Sequence, residues 1–165
     1  MQKLLDRLII DFPDIFFKEG ENFHWSPKTN SVIYSKESKK NSNWTLLHEV
    51  AHAKLNHRTY ESDIELLRME VLAWQHASKL AKKYDIKIDD DYIQNCLDSY
   101  RDWLHQRSTC PKCDNHSLQQ DSTHYFCFNC HTTWKVTIAR FCRPYRKIEH
   151  KKETSPSVSP QVMFL

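Results

Sequence analysis

The sequence predicts an α+β fold, with a short hairpin and a set of amphipathic helices followed by a small cysteine-bearing strand unit. Three observations lead there. Apolar residues alternate on either side of a turn between residues 22 and 35, they recur every three or four positions from about 43 to 106, and beyond Ser108 paired cysteines stand among strand-forming residues. At 165 residues, with 39% hydrophobic and 27% charged, the chain fits one domain, or one small domain plus a module. That is enough apolar material for a packed core. Gly20 is the sole glycine, which excludes a P-loop, a dinucleotide fingerprint and a nucleophile elbow. A mean hydropathy of -0.73 with scattered charges argues against a membrane span. The opening MQKLLDRLIIDFPD has too short an apolar run for a signal peptide. Six cysteines without such a leader suggest a reducing, cytoplasmic setting in which thiols bind metal more often than they pair.

The elements follow in order. Residues 3 to 12 read as a helix with Leu4, Leu5, Leu8, Ile9 and Phe12 on one face, ended by Pro13. Phe23 and Trp25 belong to the first hairpin strand, residues 26 to 30 to its turn, and Val32, Ile33 and Tyr34 to the second. A polar, lysine-rich loop runs from Ser35 to Ser42. Ser42 or Asn43 then caps a helix reaching about Asn56. A longer helix spans about Ser62 to Tyr84, with Ile64, Leu67, Val71, Trp74, Ala77, Leu80 and Ala81 at helical spacing. Another begins at Asp89 to Asp91 and continues to about Gln106, with Tyr92, Ile93, Cys96, Leu97, Tyr100, Trp103 and Leu104 on its inner face. These spacings divide the chain into a helical domain over 1–107, a cysteine unit over 108–142 and a basic, disordered tail over 143–165.

The first chemical signal is HExxH at His48, Glu49 and His52. Residues four apart share a helix face, so both imidazoles can address one ion, and Glu49 beside them can take a proton from an attacking water without ligating the metal. The apolar frame of Trp44, Leu46, Leu47, Val50, Ala51 and Leu55 sets this pair apart from histidines on a solvated face. A catalytic zinc needs a third protein ligand. Glu70 on the next helix is favoured, because Ala73, small and on the same face, lets two helices approach closely. His57 is the alternative, and Glu61 and Glu65 are weaker ones. The competing readings are a surface acid for Glu70 and a helix C-terminal cation for His57.

The run His48-Glu49-Val50-Ala51-His52-Ala53-Lys54-Leu55-Asn56-His57, followed by Glu70-Val71-Leu72-Ala73-Trp74, resembles the ImmA/IrrE family of zinc metallopeptidases. The resemblance covers roughly residues 20 to 85 and departs from the family pattern at Trp74, His76 and Ala77. It implies a small zincin-like, gluzincin-type domain with His48, His52 and Glu70 on zinc and Glu49 as base, acting inside the cell, in several members on repressor-type regulators. Zincin folds place a substrate-binding edge strand before the motif helix, and Val32-Ile33-Tyr34 is the candidate, with a plain core hairpin as the equal alternative. Tyr34, Tyr60 and His24 are candidates to stabilise the oxyanion.

Cys110-Pro111-Lys112-Cys113 and Cys127-Phe128-Asn129-Cys130 form the second signal, two CxxC pairs with thirteen residues between them. Each pair clasps an ion from a tight knuckle, and four thiolates close a tetrahedral structural zinc site, the mark of a zinc ribbon. Asp114 and His131 stand where knuckles often carry glycine, and both tolerate left-handed backbone. Cys96 reads as a buried small residue, and Cys142 has no evident partner. The succession of peptidase and ribbon is also similar to the SprT-like family, linked to DNA-associated proteolysis. Its third ligand is a downstream histidine in a His-Gly context, which this chain lacks.

The net charge is only +3, yet from Arg140 to Lys152 six Lys or Arg face one acid, Glu149. The ribbon and basic arm therefore have nucleic acid, or a solvated tail, as equal readings. The combined expectation is an intracellular zinc metallopeptidase acting on a protein substrate, a regulator or DNA-associated protein, with one catalytic and one structural zinc and no membrane contact. The alternative is a non-catalytic ribbon adaptor that binds nucleic acid or a partner protein.

Overall fold

A computed structural model describes residues 1–37, 40–140 and 144–149. Helix α1, Gln2–Asp11, buries Leu4, Leu5 and Leu8 and stops at Phe12, whose N–H bonds to Leu8 O. Pro13 follows and cannot continue the ladder. Three strands come next, β1 (Phe16–Glu19), β2 (His24–Ser26) and β3 (Ser31–Tyr34). Strands β2 and β3 form the expected antiparallel hairpin, in which Trp25 faces Val32. Asn30 takes φ 48° at the turn, a conformation asparagine tolerates.

Strand β1 has no counterpart in the sequence reading. It pairs in parallel with β3, so the sheet order is β1-β3-β2. At its end Gly20 donates to Tyr34 O, and a Cβ there would lie 2.5 Å from Ile33 Cγ2. Because β1 and β2 occupy both edges of β3, the expectation that Val32-Ile33-Tyr34 is an edge strand is corrected. The exposed edges of the sheet belong to β1 and β2.

The three following helices lie where apolar spacing places them: α2 (Ser42–Lys54), α3 (Asp63–Lys83) and α4 (Asp90–Ser108). Ser62 caps α3 by accepting from Glu65 N, and Asp89 caps α4 by accepting from Asp91 N. Acidic residues in both first turns complement the helix dipole. Helix α2 begins at Ser42, and Asn41 at its cap makes no side-chain capping bond. The core joins Leu4, Leu5 and Leu8 of α1 and Val32 of β3 to Leu46, Leu47, Val50 and Ala51 of α2. Ala73, Trp74, Ala77 and Ala81 of α3 and Ile93 and Leu97 of α4 complete it. Ala73 and Ala77 are fully buried, and these small side chains let α3 lie close along α2.

Beyond α4 stands a second, antiparallel sheet in the order β4 (Leu118–Gln119), β5 (His124–Phe126), β6 (Thr133–Val136) and β7 (Arg146–Glu149). Its core is Tyr125, Trp134 and Val136 with Cys110 and Cys127. Strand β7 pairs along β6, so residues 146–149, expected in an irregular tail, extend this sheet instead. Cys142, Arg143, Lys151, Lys152 and the terminal apolar segment lie outside the described residues. Among the described residues, no helix is long and apolar enough to cross a membrane.

A buried clasp joins the ribbon to the helices. Asp63, at the start of α3, receives Arg107 Nε at 2.5 Å and Nη2 at 3.3 Å, together with the Tyr125 hydroxyl at 2.5 Å. Arg107 also donates to Thr137 O and Ser122 O, and its own carbonyl accepts from Trp134 Nε1 at 3.0 Å. Both charges are almost wholly buried, so each depends on its partner for compensation.

Candidate metal centres

Helix α2 presents His48 and His52 one turn apart, and α3 brings Glu70 against them. The three side chains are buried. His48 Nε2 lies 3.1 Å from His52 Nε2 and 3.2 Å from Glu70 Oε2, and His52 Nε2 lies 3.6 Å from Glu70 Oε1. With zinc bonds of about 2.0–2.2 Å to nitrogen and oxygen, the edges of a tetrahedron are about 3.3–3.6 Å, so this donor set fits a small divalent ion. Burial works to raise the Glu70 carboxyl, but hydrogen bonds to His48 and His52 outweigh it and hold the group well below the usual carboxylate range. Trp74 stacks on the His48 ring at 4.1 Å and orients it. Trp74, where the chain departs from the family pattern, is thus a wall of the centre.

His57 lies outside this triad. Its Nδ1 is 2.9 Å from His52 Nδ1, on the side of the ring away from Glu70's partner nitrogen. Burial lowers its pKa, and neighbouring His52 adds to the effect. It is therefore placed to accept the Nδ1 proton of His52 and fix that ring's tautomer. The weaker candidates Glu61 and Glu65 also stand outside the triad, and the Glu65 carboxylate accepts from Glu61 N.

Glu49 is half-buried beside the triad. Its Oε2 accepts the backbone N–H of Trp25 at 2.7 Å, while Trp25 Nε1 donates to His57 O at 2.8 Å. Edge strand β2 is thereby tied to the HExxH motif at Glu49 and to the turn beyond α2 at His57. A cleft of about 360 Å³ opens over His48, Glu49, His52 and Glu70, and its wall includes His24, Trp25, Tyr60, Tyr100 and Arg140. Of the three oxyanion candidates, His24 and Tyr60 line this cleft. Tyr34 instead packs against the core. Tyr100 and Arg140 were not expected here. Tyr100 carried only a helix-face signal, and Arg140 only a basic-arm signal. Neither local pattern distinguishes a cleft residue.

The second centre is formed by Cys110, Cys113, Cys127 and Cys130, whose sulfurs lie within 4.8 Å of one another. The Cys110–Cys130 and Cys113–Cys127 sulfur distances are both 3.5 Å. That is far beyond a disulfide bond of about 2.05 Å. It is close to the edge of about 3.8 Å for a tetrahedron built on zinc–sulfur bonds of about 2.3 Å. Asp114 and His131 take φ 57° and 55°, as the knuckle reading requires, and their N–H groups bond to Cys110 O and Cys127 O. The Asn115 N–H and then the Asn129 side chain draw the Cys113 thiol down to about 6, whereas burial pushes Cys110 up to about 12.

Two candidate metal sites therefore stand in one chain, the His48/His52/Glu70 triad and the four-cysteine cluster. Comparison with family models, curated proteins and solved structures finds no match to this chain.

Proposed function

We propose that the chain is a zinc-dependent metallopeptidase that hydrolyses peptide bonds in a protein substrate. One observation carries the reading: a buried three-donor site opens on a cleft where Glu49 is held beside it by the Trp25 N–H. Zinc at such a site polarises a carbonyl and acidifies water. The chain supplies the remaining functions. His48 and His52 offer nitrogens from one helix face, Glu70 offers the anionic ligand, and His57 and Trp74 hold the two rings in place. Glu49 accepts the proton of the attacking water and delivers it to the leaving amine. Edge strand β2 borders the cleft in which an extended peptide would lie. In this reading the cysteine cluster holds a structural zinc.

Zinc per chain tests this together with cleavage of a quenched-fluorescent decapeptide library. Two zincs in the wild type, one in the His48→Ala/His52→Ala double variant, and cleavage lost in Glu49→Gln are the expected results. A single zinc, lost only with the cysteines, overturns the reading.

A second reading, the nucleic-acid-binding adaptor, is favoured by the ribbon surface. Phe126 meets Phe128 edge-on at 4.9 Å, Phe128 is 64% exposed, and Lys135 pairs across strands with Lys147. Exposed aromatics beside lysines suit single-stranded nucleic acid. Binding of labelled oligonucleotides, with its salt dependence, decides whether the ribbon adds this contact to the peptidase or replaces it.

A further inference from the structure

We propose that Tyr100 is a catalytic residue of the histidine-site cleft and that Arg140, carried by the ribbon, is its positioning residue. This rests on the peptidase reading. During hydrolysis the water oxygen adds to the carbonyl carbon, the C–N bond breaks, and the amine leaves with the proton that Glu49 carried. Negative charge builds on the carbonyl oxygen. Tyr100 donates a hydrogen bond to that oxygen and keeps its own proton throughout.

Besides Tyr100, the oxyanion candidates His24 and Tyr60 line the cleft, and burial separates the three. Tyr60 is 43% exposed and His24 is exposed, so water competes at both. Tyr100 reaches the same cleft from α4, beside Glu70, and is half-buried. A preformed donor in a desolvated site stabilises developing charge far more than an exposed one.

Arg140 comes from the segment joining β6 to β7. Its guanidinium carbon lies 3.9 Å from the centre of the Tyr100 ring, and its Nη1 is 3.5 Å from Ser99 Oγ. A cation over the ring fixes the phenol and strengthens its O–H as a donor. The ribbon segment that delivers Arg140 is anchored three residues earlier, where Thr137 O accepts from Arg107. Arg107 belongs to α4, which carries Tyr100, and pairs with Asp63 of α3, which carries Glu70. The ribbon is thereby a wall of the cleft.

The test uses the full zinc-loaded chain, the best-cleaved library peptide, and that peptide remade as a phosphinic analogue. Tyr100→Phe is expected to lower kcat by about 10²–10³-fold with KM little changed. The phosphinic peptide, measured by calorimetry, should lose affinity in parallel, and zinc content and melting temperature should hold. Tyr100→His, which restores a donor, should recover part of the rate. Arg140→Gln should cost about tenfold, Arg140→Lys less, and Arg140→Gln nothing further in the Tyr100→Phe background. Wild-type kcat in Tyr100→Phe, or additive losses in the double variant, overturns the assignment. Cleavage that needs Glu49 but ignores Tyr100 removes only this inference. No cleavage by the two-zinc wild type removes the peptidase reading and this inference with it.

Discussion

The two metal centres differ in what closes them. At the cysteine cluster four sulfurs face one another from two knuckles, and the donor set of a tetrahedron is complete. At the histidine centre three donors converge, and the remaining direction opens on a cleft with a carboxylate at its edge. A closed set can only hold the chain together, whereas an open one leaves room for a reacting molecule. The surroundings differ in the same sense. The cysteine knuckles are fixed by their own backbone N–H groups, within a few residues of sequence. The histidine centre draws on α2, α3, β2 and α4, and on a ribbon arginine.

Breaking the closed centre should have the largest effect. Structural zinc contributes apparent binding energies of about 10–16 kcal/mol in small domains. The Cys110→Ala/Cys113→Ala double variant should therefore lose one zinc and the near-ultraviolet circular dichroism of buried Trp134 while retaining helical signal. Zinc remaining at the histidine triad in that variant would establish separate loading of the two centres. Glu49→Gln sharpens the contrast from the other side. Activity should fall by about 10²–10⁴-fold, the usual contribution of a positioned proton acceptor, with two zincs retained. An unchanged rate would remove the chemical distinction between the centres.

The clasp between the regions is next. Arg107→Met strips the buried Asp63 of its partner and should cost about 3–5 kcal/mol in urea unfolding. Because Asp63 begins the helix that carries Glu70, the same variant should weaken zinc retention at the histidine triad more than at the cysteines. The smallest effect is expected at Ser62→Ala, which removes the α3 cap bond to Glu65 N for about 1 kcal/mol. Its zinc content should not change.

Much of this organisation was legible in the residues. Helix α3 was expected over about 62–84 and spans Asp63–Lys83, because its apolar spacing and Ser62 cap are local signals that tertiary packing did not need to override. The left-handed turns at Asp114 and His131 followed from a knuckle whose geometry is set within four residues. Strand β1 was not legible: its four residues show no clear alternation, and it exists through parallel pairing with β3, a partner fifteen residues away. That pairing also moved one edge of the sheet from β3 to β1 and left β2 as the other. Strand β7 escaped for a similar reason, since its basic residues resemble a solvated arm until β6 offers a ladder.

The sequence by itself determined the donor types, the one-turn separation of His48 and His52, and the clustering of four thiols, because helical period and knuckle spacing are short-range properties of the backbone. Only the tertiary structure brought Glu70 to the histidines while turning His57 to the far nitrogen of His52, tied Glu49 to the edge of β2, and carried Arg140 from the ribbon to Tyr100. Those choices depend on how α3 packs against α2 through Ala73 and Ala77, and on a buried ion pair between residues 44 positions apart. Contacts of that range are set by the fit of whole elements, and no local pattern encodes them.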